Sequence, residues 1–153
     1  MSAEAKKRLE EQLKKETGGV KQSYYDRLIR TAVQAMKNAY APYSGFAVGA
    51  ALAGKNGKIY VGCNVENASY SLTNCAERTA FFNAAADGCR HFDAIAIVGG
   101  KNGVVTDYCL PCGACRQVMA EFCSPDFEVI MLGSKDIKVS RLKDLLPDSF
   151  RLP

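Results

Sequence analysis

Apolar positions along the chain switch between helical and strand spacing, and this switching predicts the order of the elements. Apolar residues three and four positions apart predict a helix over about 24–39, begun by Ser23 and Asp26. Two runs rich in small and branched residues, 47–53 and 58–64, are separated by a glycine-rich turn. They predict a β-hairpin of two strands.

The second half of the chain alternates helices and strands in the same way. Helices are predicted at about 75–87, 111–123 and 140–146, and strands at 94–98, 127–132 and 137–139. Asn74 is a suitable cap for the first of these helices, and Pro111 suits the opening of the second. Alternating helices and buried strands favour an α/β sandwich in which helices cover the sheet.

The composition is that of an ordinary globular protein. The chain has 153 residues, of which 48% are hydrophobic and 24% are charged, which fits one domain with a single core. We expect a charged N-terminal extension over residues 1–22 and a catalytic domain over 23–153. No apolar run approaches the roughly 20 residues of a membrane span, and the N-terminal residues lack the apolar stretch of a secretion signal. These features predict a cytoplasmic protein that does not bind membranes.

The net charge of +4 is unevenly distributed. The first thirty residues carry eight Lys and Arg against five Asp and Glu, whereas the remainder carries twelve against eleven. A nucleic-acid binder needs a cluster of basic side chains to neutralise phosphates. The nearly neutral body therefore argues against a nucleic-acid partner and favours a small, neutral substrate.

Cysteine spacing supplies the candidate chemistry. The chain has seven cysteines, an odd number, and without a secretion signal this favours metal binding over disulfides. The segments Cys75-Ala76-Glu77 and Pro111-Cys112-Gly113-Ala114-Cys115 place three cysteines where two helices begin. Three thiolates can hold zinc and leave its fourth position open, with Glu77 beside it to move protons. Arg78 can offset the excess negative charge by donating to the sulfurs.

Several alternatives remain open for these residues. Cys109 could complete a closed structural zinc site, or a C-x-x-C-x-x-C cluster motif, although Met119 stands where that motif continues with cysteine. Glu77 could instead close a capping box with Asn74. Arg78 could be an ordinary residue on the surface of its helix.

Three segments together resemble the cytidine deaminase family, in its small, three-cysteine, homotetrameric form. They are Asn64-Val65-Glu66-Asn67-Ala68-Ser69-Tyr70, Cys75-Ala76-Glu77-Arg78-Thr79-Ala80 and Pro111-Cys112-Gly113-Ala114-Cys115-Arg116-Gln117. The glutamate two residues after a cysteine, followed by Pro-Cys-x-x-Cys, matches the known signature of zinc nucleobase deaminases. The similarity covers about residues 23–150. It implies a three-layer α/β/α sandwich around a mixed five-stranded sheet, and a homotetramer.

The resemblance also implies roles for individual residues. Cys75, Cys112 and Cys115 would bind one Zn²⁺ per chain, and Glu77 would carry protons from water to the base. Asn64 and Glu66 would bind the ribose 3′-hydroxyl, Phe46 would pack on the pyrimidine, and the Ala76 backbone would contact its polar edge. The positions that match lid contributions from neighbouring chains are Ala68, Tyr70 and Phe150. Leu110 and Arg151 depart from the usual pattern of the family.

The expected activity is the zinc-dependent deamination of cytidine and 2′-deoxycytidine to uridine and 2′-deoxyuridine, with release of ammonia, in pyrimidine salvage. A deaminase of a modified cytosine nucleoside, such as blasticidin S, is an alternative of the same fold. Two further alternatives are a nucleic-acid editor and an inert zinc-binding module that Cys109 completes. The lack of an aromatic and basic stripe argues against the editor.

Overall fold

A single mixed sheet of five strands organises the chain. The computed structural model describes Glu4 and residues 20–153. The strands are β1 (Phe46–Gly54), β2 (Ile59–Cys63), β3 (Phe92–Lys101), β4 (Glu128–Leu132) and β5 (Ile137–Arg141). The helices are α1 (Val20–Met36), α2 (Ala76–Ala86), α3 (Gly113–Phe122) and the short α4 (Leu142–Leu145), with a 3₁₀ turn at Tyr70–Leu72.

The strand order is β2-β1-β3-β4-β5. Strand β1 pairs antiparallel with both β2 and β3, and β4 pairs antiparallel with β5. Strands β3 and β4 are parallel, and parallel neighbours need a long crossover connection. Helix α3 lies in that connection, so the crossover brings Cys112 and Cys115 to the end of the sheet where β3 finishes.

Alternate residues of the strands build two separate cores, one on each face of the sheet. On β3, Ile95 and Ile97 face the core formed with α2 and α3. Ala94, Ala96 and Val98 face the core formed with α1. Period-two alternation in a buried strand has this consequence, because successive side chains point to opposite faces. The predicted three-layer α/β/α sandwich around a mixed five-stranded sheet is confirmed.

Two glycines allow helices to lie directly on the sheet. A Cβ atom at Gly49 would lie 2.0 Å from the Ala32 carbonyl oxygen of α1. A Cβ atom at Gly62 would lie 2.1 Å from the Ala76 carbonyl oxygen of α2. Both distances are far below van der Waals contact, so each face depends on a residue without a side chain.

Element boundaries differ from prediction mainly at the ends. The helix predicted over 24–39 extends back to Val20 and ends at Met36, so Ser23 lies inside it and does not begin it. Strand β5 continues to Arg141, and this shortens the last helix to Leu142–Leu145. The extension predicted over residues 1–22 lies mostly outside the described residues. Among the described residues, no helix combines the length and apolar character that crossing a membrane requires.

Candidate metal centre

Two helix N-termini converge at one end of the sheet, and each carries a cysteine as its first flanking residue. Cys75 is the N-cap of α2 and Cys112 is the N-cap of α3. Neither side chain hydrogen-bonds to its own helix as a cap, so both sulfurs are free to face the gap between the helices. Cys115 adds a third sulfur from the first turn of α3. Helix N-termini favour thiolates because their amides carry positive partial charge.

The three sulfurs lie close enough together for one metal ion. The sulfurs of Cys75 and Cys112 are 3.8 Å apart, and those of Cys112 and Cys115 are 3.4 Å apart. Thiolates about 2.3 Å from a tetrahedral zinc ion lie about 3.8 Å from one another. The cluster is the one group of three or more potential metal ligands among the described residues. Its spacing and soft sulfur donors fit zinc.

Cys109 lies outside this cluster. Its sulfur packs over Gly99 of β3, where a Cβ atom would approach it to 2.8 Å and would also approach the Phe46 ring to 3.0 Å. Burial raises the pKa of the Cys109 thiol to about 12. A partly buried thiol held against the sheet argues against a closed, four-cysteine site and against the iron–sulfur alternative.

Charges around the cluster favour a thiolate at Cys75. A hydrogen bond from Cys115, together with Arg78 and Cys112, lowers the pKa of Cys75 to about 5 against the opposing effect of burial. The Nη2 atom of Arg78 donates to the Cys75 sulfur over 3.3 Å. The hydrogen bond to Cys75 and burial raise the pKa of Cys115. Arg78 therefore faces the sulfurs, which favours the charge-offsetting role over that of a surface residue.

Glu77 is buried beside the cluster, with 4% of its surface exposed. Burial raises the pKa of its carboxyl to about 7, and the nearby Cys75 adds to the effect. The alternative capping box is wrong, because the N-cap is Cys75 and not Asn74. The Asn74 amide instead donates to the Thr79 hydroxyl over 3.0 Å.

Two polar side chains follow the end of β2. Asn64 is buried, and its amide oxygen accepts from Val48 N while its amide nitrogen donates to Phe46 O, both over 2.8 Å. The Glu66 carboxylate accepts from Tyr43 N over 2.9 Å and from the amide and hydroxyl groups of Ser44. The hydrogen bond from the Ser44 hydroxyl is the main reason why the pKa of Glu66 is lowered. Neither side chain belongs to β2 itself, which ends at Cys63.

Glu66 borders an open cleft of about 400 Å³, which is also lined by Tyr43, Ser44, Tyr70 and Thr73. The rings of Tyr43 and Tyr70 meet edge to face, with their centroids 6.0 Å apart. Sequence reasoning assigned no role to Tyr43 or Ser44, whose contacts with Glu66 come from more than 20 positions away.

The remaining predicted site residues differ widely in exposure. Phe46 is 39% exposed at the start of β1, whereas the Ala76 side chain is fully buried. Ala68, Tyr70 and Phe150 are exposed, which leaves them available to a neighbouring molecule. Phe150 lies in a C-terminal segment that two hydrogen bonds hold on α3. The Gln117 amide donates to the Phe150 carbonyl oxygen, and the Arg151 guanidinium donates to the Cys123 carbonyl oxygen. Leu110 is 52% exposed.

Comparison with known proteins places these features in a family context. The model of the cytidine and deoxycytidylate deaminase zinc-binding region matches residues 22–131. A cytidine deaminase of Sporosarcina psychrophila is 51% identical over 126 residues, which cover 82% of this chain and 90% of that protein. One from Mycobacterium tuberculosis is 41% identical over 128 residues, 84% of this chain and 90% of that protein.

A solved structure agrees in fold as well as in sequence. The crystal structure of a cytidine deaminase from Burkholderia pseudomallei is 53% identical and has a TM-score of 0.74, covering 81% of this chain and 97% of that one. The family match at residues 22–131 includes the three clustered cysteines and Glu77, whereas Phe150 lies beyond it.

Proposed function

We propose, because this chain belongs to the cytidine and deoxycytidylate deaminase family, that it deaminates cytidine and 2′-deoxycytidine by hydrolysis. The products would be uridine or 2′-deoxyuridine and ammonia. The observation that carries the proposal is the convergence of three cysteine sulfurs beside the buried carboxyl of Glu77. It combines a metal site with a group that can move protons.

Cys75, Cys112 and Cys115 would hold one zinc ion per chain. When bound, the ion acts as a Lewis acid that lowers the pKa of water toward neutral pH. Three thiolates outweigh the charge of one dication, and the excess would weaken this effect. The guanidinium of Arg78, which donates to the Cys75 sulfur, offsets part of that excess.

Glu77 would carry the protons of the reaction. Its carboxylate accepts a proton from the attacking water and passes it to N3 of the base while the C4–O bond forms. It then takes the second proton of that oxygen and gives it to the amino group, which leaves as ammonia. Burial of Glu77 suits this double role, because a carboxyl with a raised pKa both accepts and donates near neutral pH.

The cleft beside Glu66 would receive the sugar. A carboxylate oriented by Tyr43 and Ser44 is an acceptor suited to the 3′-hydroxyl, and Asn64 would bind the same group. The Phe46 side chain, which is 39% exposed, would pack on the pyrimidine, and the Ala76 backbone would contact the polar edge of the base.

The exposed positions Ala68, Tyr70 and Phe150 would complete the clefts of neighbouring copies in a homotetramer. We further propose a role in pyrimidine salvage in the cytoplasm. The substrate would be a free nucleoside and not a nucleic acid, since the body beyond residue 30 carries nearly balanced charge.

The test is a deamination assay on purified protein. Absorbance near the cytosine band should fall as the added cytidine is consumed. One ammonia molecule should appear for each cytidine molecule lost. Glu77→Gln should abolish turnover yet retain zinc, whereas Glu121→Gln, at an exposed position of α3, should leave both unchanged. Deamination of single-stranded DNA but not of cytidine would contradict the proposal and favour an editor. Conversion of blasticidin S alone would favour the modified-nucleoside alternative.

A further inference from the structure

The loop between β3 and α3 delivers Cys112 to the metal centre with little support from its own backbone. The β3–α3 loop comprises residues 102–112. Its first residues form hydrogen bonds at the end of β3, as in Val104 N to Lys101 O over 3.0 Å. In the described part of the chain, no backbone hydrogen bond joins residues 105–110 to another backbone group. Side chains must therefore fix the course of this stretch.

Tyr108 connects this stretch to the turn between β4 and β5. Its hydroxyl donates to the Asp136 carboxylate, 28 residues away, in the turn between β4 and β5. The Lys138 ammonium lies 5.8 Å from the centre of its ring. The ring also packs against the core that α2 and α3 share with the sheet. The first two contacts join the loop to the β4–β5 hairpin, and the third joins it to the core.

The surface that receives the Tyr108 ring is shaped for it. A Cβ atom at Gly133 would lie 2.8 Å from Cε1 of the ring, so only glycine allows the ring to lie this close. The turn is closed by a hydrogen bond from Gly133 N to Asp136 O over 2.9 Å. Asp136, which accepts the hydrogen bond from the Tyr108 hydroxyl, and Gly133, on which the ring packs, thus belong to one hydrogen-bonded turn between β4 and β5.

The position of Tyr108 in the chain connects this contact to the metal centre. The next residue, Cys109, packs its sulfur over Gly99, and Cys112 follows three residues later. Cys112 is exposed, so burial contributes little to holding its sulfur beside those of Cys75 and Cys115. Helix α3 also holds this segment, because Arg116 N donates to Cys112 O over 3.0 Å and Arg116 Nε donates to Pro111 O over 2.8 Å. The course of the β3–α3 loop is a further constraint on where Cys112 lies.

We propose that Tyr108 is a positioning residue, which holds the β3–α3 loop on the β4–β5 turn and so keeps Cys112 in the three-sulfur cluster. The inference rests on the proposed metal ligands but not on the substrate. A hydrogen bond to a charged partner is typically worth about one to two powers of ten in an equilibrium constant. Loss of the anchor should therefore speed the release of zinc.

The experiment measures how fast zinc-loaded protein transfers its metal to an excess of a coloured chelator. Tyr108→Phe keeps the ring and removes the hydroxyl, and it should release zinc about tenfold faster. Asp136→Ala should have the same effect, and the double variant should be no faster than the faster single variant, since both remove one contact. Asp136→Asn keeps an acceptor oxygen but loses the charge, so its release rate should lie between those of the wild type and Asp136→Ala.

Tyr60→Phe is the matched control. The Tyr60 hydroxyl donates to Asp87 over 2.7 Å at the far end of α2, so its loss should cost comparable stability without changing zinc release. Release at the wild-type rate from Tyr108→Phe, or equal acceleration by Tyr60→Phe, would overturn the inference. Zinc release requires no substrate, so a wild-type protein that holds zinc but leaves cytidine unchanged would contradict the proposed activity alone.

Discussion

Gly62→Ala is expected to disrupt the metal centre in addition to lowering the stability of the fold. Gly62 lies on β2 under the first turn of α2. An added Cβ atom would lie 2.1 Å from Ala76 O and 2.5 Å from Ala80 N. These are backbone atoms of a hydrogen-bonded helix, so no side-chain rotation can relieve the overlap. The helix itself has to move away from the sheet.

The size of this movement follows from the contact distances. Restoring an ordinary contact of 3.4 Å at Ala76 O displaces the start of α2 by about 1.3 Å. Metal–ligand distances tolerate only about 0.2 Å, and Cys75 and Glu77 flank Ala76 directly. Overpacking a core costs about 1–3 kcal/mol, and a clash with backbone belongs at the upper end. A loss of about 3 kcal/mol would lower the midpoint of thermal unfolding by about 6–12 °C.

Gly49→Ala is the matched control, because its Cβ atom would meet the backbone of α1 at 2.0 Å on the opposite face of the sheet. Both variants should lose similar stability in thermal unfolding. Only Gly62→Ala should also bind zinc at least about tenfold more weakly in a chelator competition, and lose cytidine turnover below its unfolding temperature. Equal zinc affinity in the two variants would refute the reasoning that Gly62 sets the position of Cys75 and Glu77.

Three further predictions concern single side chains. Cys109→Ser should retain one zinc per chain by elemental analysis, whereas Cys115→Ser should lose it; loss of zinc from Cys109→Ser as well would favour a closed site. Asn64→Ala should destabilise the protein by about 1–3 kcal/mol in urea unfolding, because Val48 N and Phe46 O lose their buried partner. It should also raise KM, because Asn64 would bind the sugar. Unchanged values would contradict the structural role and the binding role of Asn64. Burial raises the pKa of Glu128, but hydrogen bonds from Tyr25 and Lys21 outweigh it and leave that pKa below its ordinary value. The ionised form therefore contributes stability above about pH 4.3 that is lost as pH falls through the lowered pKa, so thermal midpoints between pH 7 and pH 3 should fall less in Glu128→Gln than in wild type.

The sequence was most informative where a local pattern also determines the structure. A continuous apolar run over residues 94–98 predicted β3 as a buried strand, and its side chains alternate between two cores. The spacing of Cys112 and Cys115 predicted two sulfurs on the first turn of one helix, and their sulfurs lie 3.4 Å apart. The roles of these sulfurs as ligands, and that of Glu77 in proton transfer, stay predictions until metal and activity are measured.

Sequence reasoning failed where contacts between distant residues decide the outcome. The Ser23 cap signal was overridden by the helix-forming residues before it, and α1 continues back to Val20. Nothing local to Tyr108 indicates that its hydroxyl reaches Asp136. Arg151 looked like an unexplained departure from the family pattern, yet its guanidinium binds the Cys123 carbonyl oxygen after α3. Such contacts become visible only when the sheet has placed the loops.

The most direct test of the central claim is the number of sulfur atoms bound to zinc in the purified protein, measured by X-ray absorption spectroscopy. A site built from Cys75, Cys112 and Cys115, with one position left for chemistry beside Glu77, predicts three sulfur neighbours per zinc ion. Four sulfur neighbours, reduced to three in Cys109→Ser, would show a closed structural site and contradict the account.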